Sequence, residues 1–218
     1  MQNKKYCNVQ CNNMESDFNF GMFAGSAGKD VHRPGLLLHS CCGPCSTAVI
    51  ERILEDYDIT IFFYNPCITD KDEYEKRKET QIKFIEMLNQ RLGVEHSRVN
   101  FIEGNYDVDL YFRRVSGLEG EPEGGRRCTA CFRQRLNMTA KYGKEHGFEI
   151  FGTTLTVSPH KNYKLITEIG MEFADKYGIS FMDKDFKKKA GFQRSVQLSR
   201  EYELYRQDYC GCLFSRRD

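Results

Sequence analysis

The stretch GLLLHSCCGPCSTAVIERILEDYDITIFFYNP, residues 35–66, decides the fold. Leu36-Leu37-Leu38 is a short apolar run between Pro34-Gly35 and a Cys/Gly/Pro turn, the pattern of a buried strand. Ser46-Thr47 can cap a helix, and Ile50, Ile53, Leu54 and Tyr57 follow at helical spacing. Ile59 to Tyr64 (ITIFFY) is a second strand, stopped by Asn65-Pro66. Strand, cysteine-bearing turn, helix and strand make one βαβ unit.

The alternation continues outward from this unit. Residues 72–92 read as a long helix with Ile82, Ile85, Leu88 and Leu92 on one face, and Val99 to Ile102 as a third strand. Residues 107–116 are helical, 117–125 (GLEGEPEGG) a loop, 129–146 a helix and 148–154 a fourth strand. Residues 162–177 carry the stripe Ile166, Ile169, Phe173 and Tyr177; 179–183 form a short fifth strand, and 192–208 a last helix before Cys210-Gly211-Cys212. Such a chain is an α/β protein, a mainly parallel sheet flanked by helices. Its ligand crevice lies beyond the carboxyl ends of the strands. Cys41-Cys42 follow the first strand and Ser158-Pro159-His160 the fourth, so both stand there.

Residues 33–218 are expected to be one α/β domain, the size of 218 residues leaving little room for two. Residues 1–32 lack periodicity and hold Gly/Ser/Asn clusters, so they are expected to be a poorly ordered extension. Cys7 and Cys11 lie in that extension, where no preorganised metal site can be built without help. The net charge of +1 says nothing about a nucleic-acid partner, which would need a local patch. No stretch approaches the roughly 20 apolar residues that span a bilayer, and the first residues carry no apolar signal region. The expectation is a cytoplasmic protein, and ten cysteines there serve as ligands or redox thiols sooner than as a disulfide framework.

Seven of the cysteines fall into CCGPC (Cys41, Cys42, Cys45), CTAC (Cys128, Cys131) and CGC (Cys210, Cys212). Paired thiols at turns and helix ends are poor core fillers, and helix N-termini favour thiolates. Cys67 stands alone and reads as a small buried hydrophobe. Two CxxC knuckles suit structural zinc. CGPC suits a thioredoxin-like dithiol, but a thioredoxin leaves the other grouped thiols unexplained. An iron–sulfur cluster with redox-active thiols beside it accounts for all seven. The CGC pair, two residues apart about a glycine, lies within disulfide range, and so small a ring would be easily reduced.

The segments LLLHSCCGPCS (36–46), FFYNP (62–66), EYEKR (73–77), GLEGEPEGGRRCTACFRQRL (117–136), TTLTVSPHKN (153–162), DFKKKAGFQRS (185–195) and LSREYELYRQDYCGC (198–212) together resemble the QueH family of epoxyqueuosine reductases. The resemblance implies a fold similar to the adenine-nucleotide hydrolase (HUP, Rossmann-like) group, with CCGPCS standing where a phosphate loop would be, and hence no ATP chemistry. It implies a 4Fe-4S cluster and reduction of epoxyqueuosine to queuosine at the wobble position of tRNA. The cluster ligands it implies are Cys41, Cys42, Cys128 and Cys131, and the redox pair is Cys210 and Cys212. Cys45 stands where some relatives have Asp, and either side chain can bind iron, which makes it a candidate to hold a second, adjacent iron.

Epoxide to alkene takes two electrons and two protons and releases water, so a metal or thiol centre is obligatory. His160, His39 and Asp185 are candidate donors to the departing oxygen. Substrate contact is expected from His160 and Lys161 and, for phosphate, from Arg126, Arg127, Arg133, Arg135, the run Lys187-Lys188-Lys189 and Arg194. The partners expected are tRNA with epoxyqueuosine in its anticodon and an unidentified electron donor, with no membrane. Two rivals remain open from the residues alone: a zinc-stapled nucleic-acid-binding module and a general thiol oxidoreductase.

Overall fold

The computed structural model describes residues 33–93 and 99–216. The expected N-terminal extension, with Cys7 and Cys11, lies outside the described residues. Five parallel strands, β1 (Gly35–His39), β2 (Asp58–Phe63), β3 (Asn100–Glu103), β4 (Ile150–Thr153) and β5 (Ser180–Phe181), form one sheet in the order β3-β2-β1-β4-β5. The helices are α1 (Gly43–Glu51), α2 (Lys71–Leu92), α3 (Val108–Val115), α4 (Arg126–Glu145), α5 (Tyr163–Tyr177) and α6 (Gly191–Glu201).

Alternation along the strands divides the core into two layers. Leu36, Leu38, Ile59 and Ile61 face α1, α2 and α6, against Val49, Ile50, Phe84, Ile85 and Leu198. Leu37, Phe62 and Phe151 face α4 and α5, against Phe132, Leu136, Ile166, Ile169 and Phe173. Burial on both faces is why the strands read as continuous apolar runs. The chain builds β1, β2 and β3 outward in one direction, then returns to place β4 on the other side of β1. The connections leaving β1 and β4 therefore diverge, and a crevice opens at this switch point. No helix among the described residues is long and apolar enough to cross a membrane.

Three expectations shift in register. α1 starts at Gly43, not at Ser46-Thr47: Cys42 is its N-cap residue and Pro44 occupies the first turn, where a missing N–H costs nothing. Ser46 and Thr47 hydroxyls donate instead to the carbonyls of Gly43 and Pro44, at 2.8 and 2.9 Å. The helix ends at Glu51, so Ile53 and Leu54 are buried from the following turn. α4 begins at Arg126, which brings Arg126, Arg127 and Cys128 into its first turn. α6 stops at Glu201, because Glu203 takes left-handed backbone (φ 49°) and the N–H of Leu204 closes onto the Ser199 carbonyl at 2.8 Å.

Candidate active site

β1 ends at His39, and the chain turns through Ser40-Cys41-Cys42 into α1. This turn is pinned from three sides. Ser40 Oγ donates to Gln81 Oε1 at 2.8 Å, Gln81 Nε2 donates to Ser46 Oγ at 2.9 Å, and Asn65 Nδ2 donates to the Ser40 carbonyl at 2.8 Å. Gly43 is needed here, since a Cβ would stand 2.9 Å from the Thr80 carbonyl oxygen of α2. The outcome is that the sulfurs of Cys41, Cys42 and Cys45 lie within 4.8 Å of one another, a group able to hold a metal ion. Hydrogen bonds from Cys42 and Cys45 hold the Cys41 thiol well below its ordinary range, against burial. Cys42, as donor to Cys41, is raised, and Cys45 is pushed up to about 12 for the same reason.

A second set of thiols gathers beside it. Cys67, Cys131 and Cys212 pack with Tyr111 and Val115. Cys67, Cys128, Cys131, Cys210 and Cys212 line a cavity of about 70 Å³. The Cys131 thiol donates to Cys67, whose pKa falls to about 6; burial opposes the shift and Arg135 assists it. Cys131 rises correspondingly. Cys128 Sγ accepts from the Gly124 N–H at 3.2 Å. All eight described cysteines are free thiols.

The CGC segment is seated by α2. Arg77 is buried, pairs with Glu73 at 2.6 Å, and donates Nη1 to the Cys210 carbonyl at 3.1 Å and Nη2 to the Tyr209 carbonyl at 3.2 Å. Gly211 has φ +113°, and a Cβ there would come within 2.9 Å of Ile68 and 3.1 Å of Arg77, so only glycine fits. Thr69 N–H donates to the Gly211 carbonyl at 3.2 Å, and Leu213 N–H to Thr69 Oγ1 at 3.0 Å. Burial raises the Cys210 thiol, although Lys161 and Arg135 work the other way.

Two cations face these sulfurs. Arg135 is 2% exposed and lines the cavity; Nε reaches the Cys131 carbonyl at 3.4 Å, Nη2 is buried without a partner, and no carboxylate pairs with it among the described residues. Burial works against its charge, and the thiols of Cys131, Cys67, Cys210 and Cys41 outweigh that and raise its pKa. Lys161, half-buried in the same lining, is raised likewise: burial opposes, and Cys210, Cys41 and Cys45 prevail.

His160 is exposed at the cavity and remains beside Lys161. His39 is withdrawn as a proton donor. It is fully buried, its Nε2–H donates to the Tyr64 carbonyl at 3.2 Å, and its Nδ1 accepts from Thr153 Oγ1 at 3.0 Å, so the neutral ring is spoken for on both sides. Burial, helped by Arg135, lowers its pKa to about 3. Asp185 Oδ1 accepts from the Lys187 N–H at 3.1 Å in a local turn.

The basic residues separate. Arg127 and Arg135 turn inward and are not surface phosphate contacts; Arg127 donates Nη1 to the carbonyls of Leu118, Glu119 and Glu121 and holds the 118–121 loop. Arg126 pairs with Glu121, Arg133 with Glu172, and Arg194 with Glu51 and Glu201. Lys188 is exposed, and its carbonyl takes Arg52 Nη1 at 2.8 Å. None of Arg126, Arg133, Lys188 and Arg194 lines the thiol cavity. The sequence reading missed Cys67, which is buried as expected but sits among the other thiols. Its place just beyond β2, as Cys41 lies just beyond β1, was the signal available.

Fold and site together define a parallel α/β protein that gathers thiols beyond the carboxyl ends of its strands, three of them, Cys41, Cys42 and Cys45, close enough to hold a metal ion. Residues 36–218 match the family described as epoxyqueuosine reductase QueH. Proteins bearing that description from Staphylococcus epidermidis and Streptococcus pyogenes are each 43% identical over 86% of this chain, covering 78% and 72% of their own lengths. One from Thermotoga maritima is 37% identical over 83% of this chain and 89% of its own. This chain belongs to the QueH family.

Proposed function

We propose that this protein reduces epoxyqueuosine to queuosine at the wobble position of tRNA, in the cytoplasm, using an iron–sulfur cluster and the thiols of Cys210 and Cys212. The observation that carries the reading is that CTAC and CGC line one cavity whose two cations, Arg135 and Lys161, also act on Cys41 of CCGPC. Family membership supports the substrate.

The residues present fit a cluster. Four thiolates are the donor set it needs, and Cys41, Cys42, Cys128 and Cys131 would supply them, with Cys45 able to hold a second, adjacent iron. A buried guanidinium without a counter-ion is costly, and the unpaired Nη2 of Arg135 fits a site that receives an anion such as a thiolate-held cluster. When bound, a cluster would supply electrons singly and its iron would act as a Lewis acid on an oxygen.

The chain's own groups supply the rest. Oxidation of Cys210 and Cys212 to a disulfide releases two electrons and two protons, the balance for epoxide to alkene and water. Return to the dithiol draws on a separate, unidentified electron donor. His160 and Lys161 stand at the cavity to bind substrate and donate to the departing oxygen. Arg126, Arg133, Lys188 and Arg194 serve the tRNA backbone; for the three arginines, phosphate replaces a carboxylate partner, so binding weakens with salt. The fold is then of the adenine-nucleotide hydrolase type, with thiols in place of the phosphate loop.

One observation favours the zinc rival: three sulfurs within 4.8 Å suit a single ion held at about 2.3 Å. Anaerobic purification, metal and sulfide analysis, and assay on tRNA carrying epoxyqueuosine decide between them. Brown protein with iron, labile sulfide and turnover is the expected outcome; colourless, zinc-loaded, inactive protein sinks the reductase reading.

A further inference from the structure

We infer that Arg135, seconded by Lys161, is a positioning residue that sets the reduction potential of the metal–thiolate centre by acting as its buried counter-ion. The nature of that centre as iron–sulfur rests on the reading above; the need for an anion does not.

Arg135 lies on α4 one turn beyond Cys131 and two turns beyond Cys128, so helix geometry sets the three side by side. Its guanidinium is buried and has, among the described residues, a single, long hydrogen bond and no carboxylate. Its Cζ also stands over the Phe132 ring, 5.5 Å from the centroid. The other buried arginines of the chain are handled differently. Arg77 has Glu73, and Arg127 has a ring of loop carbonyls. Lys161 likewise has no ion pair among the described residues: its backbone N–H donates to the Ser158 carbonyl at 3.3 Å and its carbonyl accepts from Lys187 Nζ at 2.8 Å. Two cations thus converge on a cavity whose wall carries five cysteines; its one carboxylate, the exposed Glu123, forms no ion pair with either cation.

A thiolate-held centre is a net anion in both redox states and more negative when reduced. A cation fixed beside it stabilises the reduced state more, which raises the potential. Donors to the sulfurs act in the same direction: the Gly124 N–H on Cys128, and Gln207 Nε2 on Cys42 at 2.9 Å.

The test is a spectroscopic redox titration of anaerobically reconstituted holoprotein. Arg135→Leu is expected to lower the reduced-to-oxidised ratio at fixed potential at least tenfold, about 59 mV for a one-electron couple. Arg135→Lys should restore most of it, Lys161→Met should shift it less in the same sense, and Lys141→Gln on the exposed side of α4 should leave it alone. If Arg135→Leu does not fold or load, Lys161→Met decides. A loaded Arg135→Leu or Lys161→Met protein with wild-type potential overturns the inference. Should wild type bind only zinc, the reductase reading fails separately, and chelator competition takes over. There, a tenfold weaker hold on zinc in Arg135→Leu upholds the counter-ion role, and an equal hold overturns it.

Discussion

The layer beneath α1, α2 and α6 and the region beyond the carboxyl ends of the strands obey different rules. In the first, Leu36, Leu38, Val49, Ile50, Phe84 and Leu198 close on one another, and the charge of Arg194 at its edge is met by Glu51. In the second lie all six buried side-chain atoms without a partner among the described residues: Asn65 Oδ1, Arg127 Nε, Gln134 Oε1, Arg135 Nη2, Thr154 Oγ1 and Gln207 Oε1. Native interiors pair nearly all such atoms. One region is therefore closed by the chain's own side chains, and the other keeps buried polar atoms that the chain's own groups do not meet.

The largest expected effects probe the unfinished region. Cys128→Ala should lose both bound metal and turnover, whereas Cys210→Ala should keep the metal and lose turnover; metal analysis beside the tRNA assay reads both, and reversed phenotypes break the division of roles. Next, Leu38→Ala in the finished layer should cost about 2–5 kcal/mol. Denaturant midpoints should fall by the same amount with and without metal, and a loss that depends on metal would blur the contrast. Arg77→Lys comes third, at about 1.5–3 kcal/mol for charge-assisted bonds to the Tyr209 and Cys210 carbonyls. Its signature is faster alkylation of Cys210 and Cys212 in folded protein, and unchanged labelling would show that the seat does not depend on the guanidinium.

The smallest effect is a pH dependence at the boundary of the two regions. Unfolded His39 takes a proton below about pH 6.5, while the folded ring resists until about 3. The unfolded state thus binds more protons in between, so stability is full above about 6.5 and declines as pH falls, by up to about 1.4 kcal/mol per unit. Urea midpoints taken from pH 7 to 5 should drop more steeply in wild type than in His39→Gln, and parallel curves would remove His39 from the account.

Much of the finished layer was legible in the residues. Leu36-Leu37-Leu38 and ITIFFY fall on β1 and β2, and the stripe Ile82, Ile85, Leu88 on α2, because apolar runs and helical spacing are local signals. The grouping of CCGPC with strand ends was legible for the same reason. Cys67 was not, since its partner Cys131 is 64 positions away and only folding pairs them. The inward arginines were half legible: Arg127, Cys131 and Arg135 recur every fourth residue along one stripe, whereas Arg126 and Arg133 lie seven apart on another. Charge alone hid that difference, because it suggested one basic surface where the helix makes two faces. The left-handed Glu203 that ends α6 had no local warning either.

α2 touches both ends of this apparatus. Arg77 grips the carbonyls of Tyr209 and Cys210, and Gln81, four residues on and about 6 Å further along the axis, braces Ser40 and Ser46 around the first cysteine turn. The same rod therefore gauges the spacing between the thiols that would deliver charge and those that would receive it. With no hinge between the two grips, the gap across which electrons would pass is set when the polypeptide folds.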